Sequence, residues 1–138
     1  MGRRRRAREL AMQVLFHLEY SPGDPEEALE RVCGNFDIPP RSRGFARRLV
    51  MGVFENREVL DRMIRDASRN WRLERMSKVD RNILRIGAFE VVFLRDIPAK
   101  ASIDEAVELG KIYGAGDSGS FINGVLDNIF NSVQLQES

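Results

Sequence analysis

The sequence predicts an all-α protein. Apolar residues recur at helical spacing along nearly the whole chain, helix-start signals stand ahead of several of these runs, and no segment alternates with period two for long enough to require a strand. A chain of 138 residues can bury a core without disulfides or metal, so one compact domain of about seven helices is expected. Cys33 is the only cysteine and His17 the only histidine, which leaves no intrachain disulfide and no ligand set for structural zinc. No cofactor is expected. No apolar run approaches the ~18 residues of a membrane span, and a cytoplasmic setting is expected.

The first helix begins inside GRRRRARELAMQVLFHLEY. Ala7, Leu10, Ala11, Val14, Leu15 and Leu18 fall at i, i+3, i+4, i+7, i+8 and i+11, so the apolar stripe already runs among the arginines, which belong to the helix and not to a loose tail. Glu9, Gln13, His17 and Glu19 interrupt the unbroken apolar core that a secretory signal would need. After the turn Ser21, Pro22, Gly23, Asp24 is placed to cap a short second helix that runs to about Gly34, with Pro25 at its first position and Glu26 and Glu27 complementing its dipole. IPPRSRG reads as a break. From Phe45 to Trp71 the pattern gives two consecutive helices with a joint near Glu55 to Arg57.

Ser77 and Asp80 form a capping-box-like start for a helix that Pro98 closes. Its residues Ile83, Leu84, Ile86, Gly87, Phe89, Val91 and Leu94 are apolar nearly all round, as in a central helix. Ser102 and Glu105 repeat the same start signal ahead of the stripe Ile103, Ala106, Val107 and Gly110. The last helix is expected from about Ser118, carrying Ile122, Val125, Leu126, Ile129 and Val133.

The net charge of +1 conceals polarity along the chain: residues 1–99 carry a balance of +5 and residues 100–138 one of −4. All but three of the 22 basic residues are arginine, the exceptions being Lys78, Lys100 and Lys111. Guanidinium forks suit phosphate recognition, although a general compositional preference for arginine would give the same count. At ~100° per residue, Arg5, Glu9, Met12, Phe16 and Tyr20 gather on the face of the first helix opposite its apolar stripe. An exposed Phe16 beneath an arginine-rich turn would suit single-stranded nucleic acid, with guanidiniums on phosphates and a ring under a base. The alternative is that a second layer of helices covers Phe16.

GAGDSG, residues 114–119, matches both a G-x-G-x-x-G pattern and the GDSG segment of trypsin-like proteases. A dinucleotide site needs a strand before the glycines, whereas ELGKIY ends a helix, and the protease reading needs a β-barrel and a base for Ser118. What this loop offers instead is a helix N-terminus, to be capped by Asp117 or Ser118 or to meet an anion.

The stretches RRRARELAMQVLF, VDRNILRIGAFEV and SIDEAVELGKIYGAGDSGSFINGVLDNI, in this order and spacing, resemble the three signature regions of the NusB family of bacterial antitermination factors. The resemblance covers essentially the whole chain, and DEAVELGKIYG followed by FINGVLD is its most specific part. It implies an all-α fold of two small helical subdomains, about 1–70 and 75–138, and a non-enzymatic protein that binds the single-stranded boxA element of nascent ribosomal RNA transcripts. It further implies a heterodimer with NusE, a small-subunit ribosomal protein, that joins RNA polymerase complexes. Position by position, Arg3, Arg4, Arg5, Arg6 and Arg8 match the RNA-binding arginines, and Phe16 matches an aromatic RNA contact that is often Tyr. Asp117, Ser118 and Phe121 match the remainder of the RNA surface, and Asp80 an acidic position facing NusE. Gly119 and Ser120 stand where some relatives carry basic residues. The rival expectation is a related helical domain that targets a ribosomal RNA cytosine methyltransferase to RNA, for which the reading frame would continue beyond Ser138.

Overall fold

The computed structural model describes residues 3–34, 38–69 and 71–137. Among the described residues seven helices follow one another: α1 (Arg3–Tyr20), α2 (Pro25–Gly34), α3 (Pro40–Glu55), α4 (Arg57–Ala67), α5 (Lys78–Phe93), α6 (Ala99–Tyr113) and α7 (Ser118–Glu137), with a 3₁₀ turn at Leu73–Arg75 before α5. There is no strand among the described residues. No described helix is long and apolar enough to cross a membrane.

The central helix is α5. Every residue from Asn82 to Val91 is buried, because α1, α3, α4, α6 and α7 all pack against it. Ser77 caps it by accepting a hydrogen bond from the Asp80 N–H at 3.0 Å, as the sequence pattern predicts. Helix α1 lies antiparallel beside α5: Arg8 meets Glu90 at one end and Glu19 meets Arg81 at the other. Ala7, Leu10, Ala11, Val14 and Leu15 enter the core between α1 and its neighbours. Full burial of a side chain such as Leu10 stabilises by about 1.5–3 kcal/mol.

Two helix starts differ from expectation for the same physical reason. IPPRSRG is not a break: Pro39 is the N-cap of α3 and Pro40 its first residue, where a missing N–H costs nothing and the fixed φ is already helical. Likewise Pro98 is the N-cap of α6, so the helix starts at Ala99, one turn earlier than Ser102 suggested. Ser102 sits inside the helix, buried, and its hydroxyl donates to Glu90 Oε1 at 2.8 Å instead of capping.

The α3–α4 joint falls at Asn56, whose side-chain amide donates to the Gly52 carbonyl at 2.8 Å. Close helix approach depends on glycines at three points, one of them Gly110 of α6, where a Cβ would lie 2.6 Å from Ile122 of α7. A Cβ on Gly52 of α3 would lie 2.1 Å from the Phe89 ring of α5, and one on Gly87 of α5 would lie 2.6 Å from Leu126 of α7.

Candidate nucleic-acid interface

The arginine turn of α1 is divided by its neighbours. Arg8 is 3% exposed and is held by Glu90 through two hydrogen bonds of 2.7 and 2.6 Å, with Ser102 donating to the same carboxylate. The burial of both charges is offset by this bidentate geometry and by the face of Phe45, over which the Arg8 guanidinium lies at 5.5 Å. Arg5 makes a second fork, to Glu105 of α6 at 2.9 and 2.8 Å. The Arg5 hydrogen bond and charge hold the Glu105 carboxyl below the usual carboxylate range, and Glu105 in turn raises the Arg5 guanidinium. Arg5 and Arg8 thus fasten α1 to α5 and α6.

Arg4 and Arg6 remain exposed, on different sides of the helix. Arg4 lies over the Phe45 ring at 5.4 Å. Arg6 keeps half of its side chain in solvent and approaches Glu9 at 3.9 Å. The backbone of Arg3 opens α1, and its side chain falls outside the described residues.

Arg6, Gln13 and Tyr20 recur every seven residues and share one outer line of α1, with Glu9 and Phe16 on the adjacent line. The face expected to be free is narrower than the wheel suggested. Met12 is 5% exposed and Glu9 6%, because α2, α3 and α5 pack against α1 and the side chains of Glu105 and Tyr113 reach it from α6. Phe16 is half-buried. Its ring meets that of Tyr20 at 5.2 Å and 58°, and Tyr20, 65% exposed, carries the Lys78 ammonium 3.6 Å above its ring centroid. An aromatic pair with a cation at its end therefore lies on the same side of α1 as Arg6.

The α6–α7 loop adjoins the arginine end. The Tyr113 hydroxyl donates to Glu9 Oε2 at 2.8 Å, and burial together with that carboxylate pushes the phenol upward. One tight turn later, Ser118 Oγ accepts from the Ala115 N–H at 2.9 Å and is buried, so this hydroxyl shapes the loop. Asp117 is exposed at the threshold of α7 and Phe121 is half-buried one turn inside it. His17, across α1, lies beside Arg31 with a ring-nitrogen contact of 3.3 Å.

Asp80 occupies the first turn of α5, half-buried, with Oδ1 buried and lacking a hydrogen-bond partner among the described residues. Its neighbour Lys78 reaches Tyr20, so Asp80 stands at the far end of the α1 face from Arg6. Sequence reasoning missed the residues that organise the arginines, namely Glu90, Ser102, Glu105 and Tyr113, since their partners lie 12 to 104 positions away. It also passed over Trp71, 56% exposed in the arginine-rich run RNWRLER, where a lone aromatic among cations was the available signal.

Comparison with known proteins agrees with this architecture. A transcription antitermination protein NusB of Desulfatibacillum aliphaticivorans is 48% identical over 137 residues, covering 99% of this chain and 96% of its own. The solved structure of T. maritima NusB superposes with a TM-score of 0.87 at 37% identity, over 99% of this chain and 96% of that one. A crystal structure of antitermination factors NusB and NusE in complex with dsRNA contains a chain that matches with a TM-score of 0.85 at 28% identity, over 96% of this chain and 98% of that one. The family model for NusB matches residues 5–131, and with relatives this similar over nearly its full length the chain belongs to the NusB family.

Proposed function

We propose that this chain is an RNA-binding antitermination factor. It takes boxA-type single-stranded RNA along α1 and the α6–α7 loop, acts together with NusE, and joins RNA polymerase complexes on ribosomal RNA transcripts. The observation that carries the reading is the exposed Arg6 guanidinium on the same side of α1 as the Phe16–Tyr20 pair, which offers a phosphate contact and ring surface to one strand. Arg4 adds a second exposed guanidinium, while Arg5 and Arg8 act by fixing the helix that presents them. Asp117 and Phe121 extend the surface, with Ser118 holding the loop in shape. Asp80, at the other end of the face, is assigned to NusE, whose basic character as a ribosomal protein suits a carboxylate. The neighbouring structure with NusE and dsRNA supports a joint protein and RNA surface in this family.

The test is a titration of labelled boxA-type RNA against a scrambled single strand and a duplex of the same sequence, each with and without NusE. The boxA single strand should bind most tightly and gain further from NusE. Equal affinity for boxA and scrambled RNA would overturn the sequence-selective reading. Phe16→Ala should cost ~1–3 kcal/mol of RNA affinity with the fold retained, and Asp80→Asn should reduce the gain from NusE while leaving binding by the isolated protein unchanged.

A further inference from the structure

Trp71 lies on a part of the surface that the arginine helix does not reach. It follows α4 after a tight turn in which Arg69 takes a left-handed backbone with φ 24°, the Trp71 N–H donates to the Ser68 carbonyl at 2.9 Å, and the Ser68 hydroxyl donates to the Trp71 carbonyl at 3.1 Å. These bonds hold the backbone of Trp71, whose side chain is 56% exposed. Its ring meets Phe121 of α7 edge to face, with centroids 6.1 Å apart and planes at 69°. That geometry is favourable for an aromatic pair and leaves ring surface open to solvent.

The flanking residues are cationic. Arg72 and Arg75 are exposed and make no ion pair among the described residues, whereas Arg65 is engaged with Glu74 at 3.2 Å. A large ring held by its backbone and flanked by two available guanidiniums is what a single strand uses, with one base stacked and the neighbouring phosphates neutralised.

The location is continuous with the surface assigned above. Arg6 approaches Glu9, Glu9 accepts from Tyr113, Tyr113 leads through the turn closed by Ser118 into α7, and Phe121 of α7 touches Trp71. Each link is a direct contact or a single tight turn of chain.

We infer that Trp71 is a second base-stacking site, at which a nucleotide of single-stranded RNA leaving the α6–α7 loop stacks on the indole while Arg72 and Arg75 hold its phosphates. This rests on the RNA-binding reading and lengthens the bound strand beyond the arginine turn. It also gives Phe121 a role as the support of the indole.

Trp71 is the only tryptophan, so its intrinsic fluorescence reports on this site in the unaltered protein. The full chain would be titrated with fluorescein-labelled boxA-type single-stranded RNA of about 12 nucleotides, reading label anisotropy for binding anywhere. A parallel titration with the same RNA unlabelled would read indole emission for binding here. Expected is quenching of Trp71 that saturates with the anisotropy, a loss of roughly 5- to 150-fold in affinity for Trp71→Ala, and retention of most affinity by Trp71→Phe, with unchanged melting temperatures. Normal anisotropy with indole emission unmoved, and Trp71→Ala binding as tightly as the unaltered protein, would overturn this site and leave the RNA-binding reading standing. Absence of any anisotropy change would overturn both. Quenching produced by NusE alone and not by RNA would assign the indole to a protein contact and end the proposal.

Discussion

Two positions separate Arg6 from Arg8, yet the helical turn sends one to solvent and the other into the core. Their substitutions should therefore separate cleanly. Arg6→Ala should leave stability within about 0.5 kcal/mol and lower the dependence of RNA affinity on salt by about 0.7 log units per log unit of salt, one phosphate contact's share. Arg8→Ala strands the Glu90 carboxylate at 1% exposure without its cation, and should cost ~3–5 kcal/mol of stability. Urea denaturation of both variants, with RNA titrations at several salt concentrations, checks the pair; equal stability losses would mean the division of the arginines is misassigned. The sequence shows that a helix begins among these arginines. It does not show which of them are engaged, because that is decided by Glu90 and Glu105 on helices far along the chain. Phe16 was legible as lying off the main apolar stripe, whereas Met12 on the same face was not legible as buried. Periodicity ranks the faces of a helix but does not count how many neighbours will cover them.

Helix boundaries were most legible where a local signal sets them, as Asp24 does for α2 by accepting the Glu26 N–H at 3.2 Å and Ser77 for α5. They were least legible at α3 and α6, where a proline read as a breaker begins the helix, and at Ser102, whose hydroxyl is claimed by a carboxylate on another helix. Glycines behave similarly. Inside α3, Gly52 reads as a helix-propensity cost that alanine would remove, worth ~1 kcal/mol in an isolated helix. The fold reverses that expectation, since the new methyl would meet the ring of Phe89, itself buried and stacked on Phe93 at 5.5 Å with little room to withdraw. Gly52→Ala should thus be destabilising by a net ~1–3 kcal/mol through overpacking of α3 against α5. Chemical denaturation measures this directly, and a stabilised variant would show that the α3–α5 spacing relaxes easily.

Across the whole molecule, the charge polarity read from the sequence is partly consumed internally. Glu105, from the acidic stretch 100–138, is spent on Arg5 and lies 3.8 Å from Arg8, so it neutralises the first helix of the same chain. This clamp between α1 and α6 ties stability to the placement of the proposed RNA surface, and it gives the molecule an acid-sensitive joint. The Arg5 hydrogen bond holds the folded-state pKa of Glu105 below its unfolded value, so its contribution is fully present above about pH 4.3 and is lost as pH falls through the lower folded value. Glu26, Glu74 and Asp96 are lowered too, by Arg47, by backbone and Arg65, and by Arg48 respectively, but they sit at the surface where solvent screens the effect. Glu105→Gln keeps the side-chain shape and removes the ionisation. It should be less stable than the unaltered protein at neutral pH and lose stability less steeply between about pH 5 and 3, so that the two profiles converge in acid. Urea denaturation across that range reads both slopes. Parallel profiles would place the acid sensitivity elsewhere in the fold and leave the Arg5 clamp with no share in it.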